Sequence, residues 1–319
     1  MKAIWLENGG ISRVEIPEPE VNVGEALIAV RLAGICATDL ELIKGYYPYT
    51  GVLGHEFVGE VVSAVDRPEL AGARVVGEIN ASCGGCDACL CGDRTHCENR
   101  TVLGILDRDG AFAEFLTLPV ENLHPVPAGV PDDAAVFTEP LAAALEILEQ
   151  VPIGSGDRAL VVGAGRLGQL IARVLENTGC ELTVLAKHPS QQVLLDAAGI
   201  RWVTPEAPVA PHFDVVVEAT GSQAGFETAR KNVRPRGTIV LKSTYKGRIQ
   251  VDFSAIVVDE ITLIGSRCGP FDKALAQLAS GAVDPRPLID DRFPLEQGVD
   301  ALNAAGKPGV MKILIENED

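Results

Sequence analysis

The segment GAGRLG, residues 163–168, constrains the fold of this chain more than any other. It follows the apolar run ALVV and precedes LGQLIARVLENTG, whose apolar spacing is that of an amphipathic helix. A G-x-G-x-x-G motif at a strand-to-helix turn is typical of dinucleotide-binding βαβ units, whereas a glycine turn without a ligand is the alternative. Its first glycine allows a tight turn, its second admits a pyrophosphate, and its third lets the helix pack on the strand. The predicted cofactor contacts in the motif are Gly163, Gly165, Arg166, Leu167 and Gly168.

The surrounding sequence divides into two regions with different sequence patterns. Residues 138–269 alternate short apolar runs such as DVVVEATG and GTIVLKS with helical segments, a pattern that predicts a parallel sheet. Residues 1–137 instead carry short β-type runs between Gly and Pro turns, which indicates a mainly β, partly barrel-shaped domain. We therefore predict an α/β chain, with a doubly wound Rossmann sheet over 138–269 and a mainly β domain made of 1–137 and 270–319.

The residues at the end of the second predicted strand of the Rossmann region bear on the choice between NAD and NADP. Ala186, Lys187 and His188 stand where an NAD-selective site carries Asp or Glu for the ribose hydroxyl. A small residue followed by two potential cations leaves room and donors for a 2′-phosphate, which favours NADP(H). A surface Lys-His pair with relaxed cofactor choice, including NAD, is the alternative. Two later strand ends, EATG and LKST, supply the remaining candidate cofactor contacts, Thr220, Gly221, Ser243 and Thr244.

A cysteine-rich loop predicts a metal site. Five of the eight cysteines fall between positions 83 and 97, and no export-type segment opens the sequence, so reduced thiols are expected rather than disulfides. The spacing C-x2-C-x2-C-x7-C can close a tetrahedral shell around zinc and leaves no position for a substrate. The predicted structural zinc ligands are Cys83, Cys86, Cys89 and Cys97, with Cys91 and His96 as spare candidates.

Three dispersed fragments suggest a second metal site. GICATD (34–39), GHEFVGEV (54–61) and TEPLA (138–142) each place ionisable residues beside small or turn-forming ones. A lone Cys, His or Glu is more often packed or solvated than ligating. Together, however, the fragments offer a thiolate, an imidazole and carboxylates, a mixed set suited to a catalytic zinc that keeps one position open.

Charge and hydropathy exclude several classes of partner. A net charge of −17 opposes binding to a phosphate backbone, so no nucleic-acid partner is expected. No apolar stretch is long enough to span a bilayer, and the N-terminus lacks the basic and apolar regions of a signal peptide. We therefore expect a cytoplasmic protein that does not bind membranes.

With these motifs in place, the sequence resembles the medium-chain zinc alcohol dehydrogenase family, especially its polyol, sugar and threonine dehydrogenase branches. The resemblance covers nearly the whole chain and implies a GroES-like catalytic domain. It implies that Cys36, His55 and Glu139 are catalytic zinc ligands, and that Glu56 binds this zinc or a water on it. Ethanol-type members carry a cysteine at the position of Glu139, so the Glu-Pro sequence points to the polyol-like branch.

The resemblance also assigns roles around that zinc. Thr38 matches the hydroxyl residue that accepts the substrate's proton, and Asp39 matches the carboxylate that orients the ligating histidine. Glu41 stands where many members have a relay histidine, which alters the outer proton path.

The expected function is hydride transfer between an alcohol, such as a secondary alcohol, polyol or sugar, and NADP(H) or NAD(H). This corresponds to a zinc-dependent enzyme of class EC 1.1.1.- with a catalytic and a structural zinc, which acts on a small molecule as a homodimer or homotetramer. Two alternatives are a zinc-independent quinone or enone reductase of the same fold and a non-catalytic nucleotide-binding protein.

Overall fold

The computed structural model describes residues 1–207, 212–245 and 247–317. The chain forms two compact units, one of Met1–Glu139 with Phe271–Asp319 and one of Pro140–Pro270. A parallel sheet in the second unit and mainly antiparallel sheets in the first confirm the predicted α/β class. Within the described residues, no helix has the length and apolarity needed to cross a membrane.

The N-terminal segment of the first unit is rich in strands. Its strands are β1 (Lys2–Glu7), β2 (Gly10–Glu15), β3 (Glu25–Gly34), β4 (Gly51–Val52), β5 (Glu56–Ala64), β6 (Arg74–Gly77), β7 (Asn80–Ala81), β8 (Thr101–Val102), β9 (Phe115–Pro119) and β10 (Leu123–Pro125). Its helices are α1 (Ala37–Ile43), α2 (Asp87–Leu90) and α3 (Asp132–Ala135). Short strands joined by glycine-containing turns agree with the predicted mainly β texture.

The middle of the chain alternates helices and strands. It contains α4 (Thr138–Gln150), β11 (Arg158–Val162), α5 (Arg166–Glu176), β12 (Glu181–Leu185), α6 (Pro189–Ala197), β13 (Trp202–Val203), β14 (Phe213–Glu218), α7 (Gln223–Asn232), β15 (Val233–Leu241), α8 (Phe253–Val258) and β16 (Thr262–Gly265). The chain then returns to the first unit through α9 (Phe271–Ser280), β17 (Ile289–Pro294), α10 (Gly298–Ala305) and β18 (Lys312–Glu316).

Strand β3 is the centre of the main sheet in the first unit, whose order is β10-β6-β5-β3-β18-β17. It pairs antiparallel with β5 along one side, and with β9 and then β18 along the other. The C-terminal strand β18 is therefore inserted beside a strand that lies at least 280 residues earlier, with Leu314 opposite Gly34. This pairing holds the two segments of the first unit in one sheet.

The sheet of the second unit runs β13-β12-β11-β14-β15-β16, with all neighbouring strands parallel. This is the 3-2-1-4-5-6 order of a Rossmann fold, and the strand order reverses between β11 and β14. Strand β11 is apolar and buried from Ala159 to Val162, as expected for a parallel strand covered on both faces. Ligands of such sheets bind at the carboxyl ends of the strands beside that reversal.

The turn at Leu53 and Gly54 delivers His55 to the start of β5 and is closely packed. Gly54 has φ +97°, and a Cβ there would lie 2.7 Å from Cε1 of the buried Phe112. The Gly54 carbonyl also accepts a hydrogen bond from Ala111 N at 2.8 Å. Backbone conformation and packing therefore both require glycine at this position.

Replacing Gly54 by alanine should lower the free energy of unfolding by about 2–4 kcal/mol, because strain and overpacking act together. Gly72 is the matched control, because its φ is also positive, at +78°, but a Cβ there would meet nothing within 4 Å. Gly72→Ala should cost only about 1 kcal/mol. Urea unfolding of both variants measures the difference, and equal losses would contradict the packing argument.

Candidate metal centre and cofactor site

Three potential metal ligands meet in the first unit. Cys36, His55 and Glu56 each offer one ligand atom, and these atoms lie within 4.8 Å of one another. The pairing of β3 with β5 places Gly34 opposite Glu56, so that the end of one strand and the start of the other share a site. His55 and Glu56 are 3% and 1% exposed, whereas Cys36 is half-buried. The structure thus brings together fragments that are distant in sequence.

Asp39 connects two members of this group. Its Oδ2 accepts a hydrogen bond from Cys36 N at 2.7 Å, and its Oδ1 lies 3.2 Å from His55 Nδ1. Asp39 is fully buried, and neither Oδ1 nor His55 Nδ1 makes a hydrogen bond with another described residue. Because Nδ1 faces the carboxylate, Nε2 is the imidazole nitrogen available to a metal.

The surroundings of His55 favour a cation. Burial alone would lower the pKa of His55, but the Asp39 carboxylate and the Cys36 sulfur raise this pKa well above its ordinary value. A half-buried thiol with a buried imidazole and a buried carboxylate, in this electrostatic environment, forms a donor set that fits zinc.

Three further predicted residues are Thr38, Glu139 and Glu41, of which Thr38 contacts this group. Thr38 Oγ1 lies 3.8 Å from Cys36 Sγ, so that its hydroxyl is beside one of the three ligands. Glu139 is half-buried in the first turn of α4 and lies outside the group of three mutually close ligand atoms. Glu41 accepts a hydrogen bond from Lys44 at 2.7 Å on the exposed side of α1.

The four-cysteine loop forms a second group. The sulfur of Cys86 lies 3.5 Å from that of Cys89 and 3.7 Å from that of Cys97. Tetrahedral zinc with Zn–S bonds of about 2.3 Å spaces its sulfurs about 3.8 Å apart. A disulfide would need about 2.05 Å, and all four thiols are free. Neither Cys91 nor His96 belongs to the group.

The backbone of this loop favours thiolates. Backbone N–H groups of Gly85 and Cys86 point at the Cys83 sulfur and lower the pKa of this thiol to about 6. Similar bonds from Cys89 and Glu98 lower the pKa of Cys86, whereas burial raises the pKa of Cys89 to about 11. A cation that stabilises all four thiolates would complete the group, so these residues fit the predicted structural zinc.

The glycine motif has a distinct packing requirement at each glycine. Gly163 has φ +105°, and a Cβ there would lie 2.7 Å from Thr220 Cγ2. A Cβ on Gly168 would collide with the Gly163 carbonyl. A Cβ on Gly165, the residue before α5, would meet nothing within 4 Å, so there is open space at the helix N-terminus. Such space, lined by free backbone N–H groups of a first turn, suits a pyrophosphate.

The two later cofactor segments meet beside this motif. A Cβ on Gly221, which has φ +65°, would lie 2.7 Å from Thr244 O and 3.3 Å from Ser243 Cβ. Since Thr220 also contacts Gly163, the ends of β11, β14 and β15 form one continuous surface.

A buried carboxylate supports that surface. Glu218, the last residue of β14, accepts hydrogen bonds from Thr220 N at 2.7 Å, Gly221 N at 3.3 Å and Tyr245 Oη at 2.6 Å. Glu218 and Tyr245 were not among the site residues predicted from the sequence. Glu218 could have been found as a carboxylate at the end of an apolar strand, because a charged group buried there requires several hydrogen-bond donors.

Lys187 and His188 are exposed after β12. Their backbone N–H groups both donate to Gln191 Oε1, at 3.1 and 3.2 Å. No described carboxylate forms an ion pair with either side chain. The ammonium and imidazole groups are thus the donors that a phosphate could use here.

Comparison with known proteins identifies the family. Residues 22–128 match the alcohol dehydrogenase GroES-like domain. The chain is 30% identical to 2-dehydro-3-deoxy-L-galactonate 5-dehydrogenase of Pseudoalteromonas atlantica, a similarity that covers 98% of both chains. This chain belongs to the medium-chain zinc alcohol dehydrogenase family. The family predicted from the sequence motifs is therefore confirmed.

Other relatives of this dehydrogenase extend the comparison. It is 29% identical to L-threonine 3-dehydrogenase of Shewanella frigidimarina over 92% of this chain and 94% of the relative. One solved structure is a protein of Sinorhizobium meliloti 1021 described as a zinc-binding dehydrogenase and bound to NADP. It is 28% identical to this chain with a TM-score of 0.91, and the match covers 99% of this chain and 98% of the Sinorhizobium chain. An alcohol dehydrogenase of Escherichia coli CFT073 in complex with NADH is 26% identical with a TM-score of 0.92, over 99% of both chains.

One residue of this dehydrogenase beside the three-ligand group was missed in the sequence analysis. Lys312, on β18, forms a buried ion pair with Glu56. The sequence feature that could have indicated this pair is a lysine within the apolar run VMKILIE. A lysine in such a run is expected to be buried, and lysine is rarely buried without a charged partner.

For this dehydrogenase, Cys97→Ser should remove about one zinc per chain, because it deletes a thiolate from the four-sulfur group. Cys91→Ser is the matched control in the same loop and should leave the zinc content unchanged. Mass spectrometry of protein purified without chelator measures both. Equal zinc contents in the two variants would contradict the assignment of the group.

Proposed function

We propose that this chain catalyses reversible hydride transfer between a secondary alcohol of a polyol, sugar or sugar acid and NADP(H). The observation that carries the proposal is the close group formed by half-buried Cys36 and buried His55 and Glu56, in a chain with an intact dinucleotide motif. Asp39 accepts a hydrogen bond from Cys36 N and lies 3.2 Å from His55 Nδ1. A protein that only bound nucleotide would not require this buried donor set.

The substrate class rests on the relatives. The enzymes from Pseudoalteromonas and Shewanella are named for oxidation at carbon 5 of a sugar acid and at carbon 3 of threonine. Both positions carry secondary alcohols. We extend this alcohol class, rather than either substrate, to the present chain.

Cys36, His55 and Glu139 would hold the catalytic zinc, with Glu56 as a further carboxylate at the same site. The four-cysteine group would hold a structural zinc. Bound zinc would supply Lewis acidity toward an alcohol or carbonyl oxygen.

The protein's own groups would orient the reactants and move the proton. Thr38, beside Cys36, would accept the hydroxyl proton of the alcohol and pass it outward, although its hydroxyl is a weak base. Asp39 would fix the orientation of His55 through Nδ1. The open space at Gly165 would take the cofactor pyrophosphate, and the surface formed by Thr220, Gly221 and Thr244 would contact the rest of the cofactor.

The preference for NADP(H) follows from Lys187 and His188, whose exposed side chains could both contact a 2′-phosphate. Solved relatives contain NADP in one case and NADH in another, so this preference depends on the residues of the present chain. We further propose a cytoplasmic homodimer or homotetramer.

The catalytic site is tested with Cys36→Ser. This variant should lose about one zinc per chain and at least about 100-fold in alcohol oxidation, because it removes a metal ligand, while NADPH still binds. Cys91→Ser is the control and should retain both zinc and activity.

A screen of polyols, sugars and sugar acids supplies the substrate for this measurement. Full activity of Cys36→Ser toward a quinone or enone would instead support the zinc-independent reductase. Nucleotide binding without turnover of any of these compounds by the wild-type chain would support the non-catalytic alternative.

Cofactor preference is tested with the double variant Lys187→Ala and His188→Ala. Loss of two phosphate donors should raise the Kd for NADPH at least about tenfold, equivalent to about 1.4 kcal/mol, with little change for NADH. Lys231→Ala, at the exposed end of α7, controls for the loss of surface charge. Fluorescence titration gives the values, and equal weakening of both cofactors would exclude the preference.

A further inference from the structure

Helix α5 buries two polar side chains beside the glycine motif. Gln169 is fully buried and Arg173 is 8% exposed, one helical turn apart on a helix whose other buried residues are glycine and apolar residues. Burying an amide or a guanidinium is unfavourable unless new hydrogen bonds replace those with water. The partners of these two side chains therefore indicate what the polar pair does.

The carboxamide of Gln169 joins α5 to two other segments. Its Nε2 donates to Gln191 O at 3.0 Å and to Ala164 O at 3.3 Å, and its Oε1 accepts a hydrogen bond from Arg173 Nη1 at 2.8 Å. The opposite amide orientation would place oxygen against two carbonyl oxygens and nitrogen against a guanidinium. The partners therefore fix the orientation of this carboxamide.

Arg173 restrains the same carboxamide from α5 and α6 together. Its Nη1 also donates to Gln169 O at 3.0 Å, and its Nη2 donates to Leu194 O at 3.3 Å. Because the guanidinium contacts both helices, rotation of the Gln169 side chain would break bonds in each of them. Gln169 is thus a fixed point between α5 and α6.

One end of this network is the glycine motif. Ala164 is the second residue of the motif and lies in sequence between Gly163 and the open space at Gly165. The motif is also held without the network, because a Cβ on Gly168 would collide with the Gly163 carbonyl, so helix and strand are already in close contact. Loss of the Gln169 side chain should therefore leave the motif in place.

The other end is the segment that follows β12. Gln191, in the first turn of α6, accepts hydrogen bonds at its Oε1 from the backbone N–H groups of Lys187 and His188, at 3.1 and 3.2 Å. The backbone carbonyl of Gln191 is the group that Gln169 binds. The residues with exposed side chains that could bind a 2′-phosphate are therefore connected to a fully buried anchor through one intermediate residue.

We infer that Gln169 is a positioning residue for cofactor selection, which fixes the spacing between the pyrophosphate site and the 2′-phosphate site at Lys187 and His188. The adenosine of NADP(H) joins these phosphates, so one molecule fills both sites only when their spacing matches it. A segment already held at that spacing loses less conformational freedom on binding. This inference rests on the preference for NADP(H) in the proposed function.

The test compares NADPH with NADH, which differ only in the 2′-phosphate. Fluorescence titration of the full-length protein gives both Kd values, and selectivity is the Kd for NADH divided by the Kd for NADPH. Gln169→Leu should lower this selectivity at least about threefold, mainly by weakening NADPH, because the Lys187 and His188 segment loses its anchor. Val174→Ala, at another buried position of α5, controls for a general loss of stability and should leave the selectivity unchanged.

The coupling to the phosphate donors is the decisive comparison. In a background that carries Lys187→Ala and His188→Ala, Gln169→Leu should leave the selectivity unchanged, because the groups that it positions are absent. An unaltered selectivity for Gln169→Leu in the wild-type background would overturn the inference, as would equal changes in both backgrounds. A role in stability alone would lower Tm and weaken both cofactors equally, which would overturn it as well.

Two precautions keep the test conclusive. If Gln169→Leu does not fold, Gln169→Glu keeps an oxygen for Arg173 but replaces the Nε2 donor, and it should lower the selectivity in the same way. If wild-type protein binds NADPH and NADH equally, the proposed cofactor preference fails. If the preference exists and is lost with Lys187→Ala and His188→Ala but kept in Gln169→Leu, only the present inference fails.

Discussion

The antiparallel pairing of β3 with β5 on one side and β18 on the other is the constraint on which the first unit depends. Strand β3 leads directly to Cys36, β5 begins just after His55, and β18 begins at Lys312. Backbone hydrogen bonding fixes the register of these strands, and the register fixes which side chains meet. The candidate metal site is thus a consequence of strand alignment more than of any loop.

Buried charge is managed differently in the two units. In the first, two members of the three-ligand group face another ionisable side chain, because Asp39 lies beside His55 and Lys312 pairs with Glu56. In the second, Gly165 leaves open space at the N-terminus of α5, and the buried Glu218 is satisfied by N–H and O–H donors. Buried charge is thus balanced mainly by other ionisable side chains in one unit and by neutral donors in the other.

Features encoded within short segments could be predicted from the sequence. The glycine motif, the four-cysteine spacing and the alternation of strands and helices are local, and they gave the α/β class and the family. Lys312 could not be related to Glu56, because their relationship depends on a strand pairing between residues at least 280 positions apart. The ligand role of Glu139 also stays a prediction, since its proximity to the group depends on how α4 begins rather than on its own sequence neighbourhood.

The split of the first unit bears on how the protein is made. Between its two segments the ribosome must synthesise Pro140–Pro270, which takes on the order of ten seconds at typical elongation rates. Throughout that interval, the Leu32–Gly34 edge of β3 lacks the strand that later covers it, and nascent chains with open edges are prone to aberrant pairing. The Rossmann segment, by contrast, is continuous and can fold as soon as it emerges. Early binding of chaperones or metal to the incomplete first unit would thus act during translation, before the lysine that pairs with Glu56 exists.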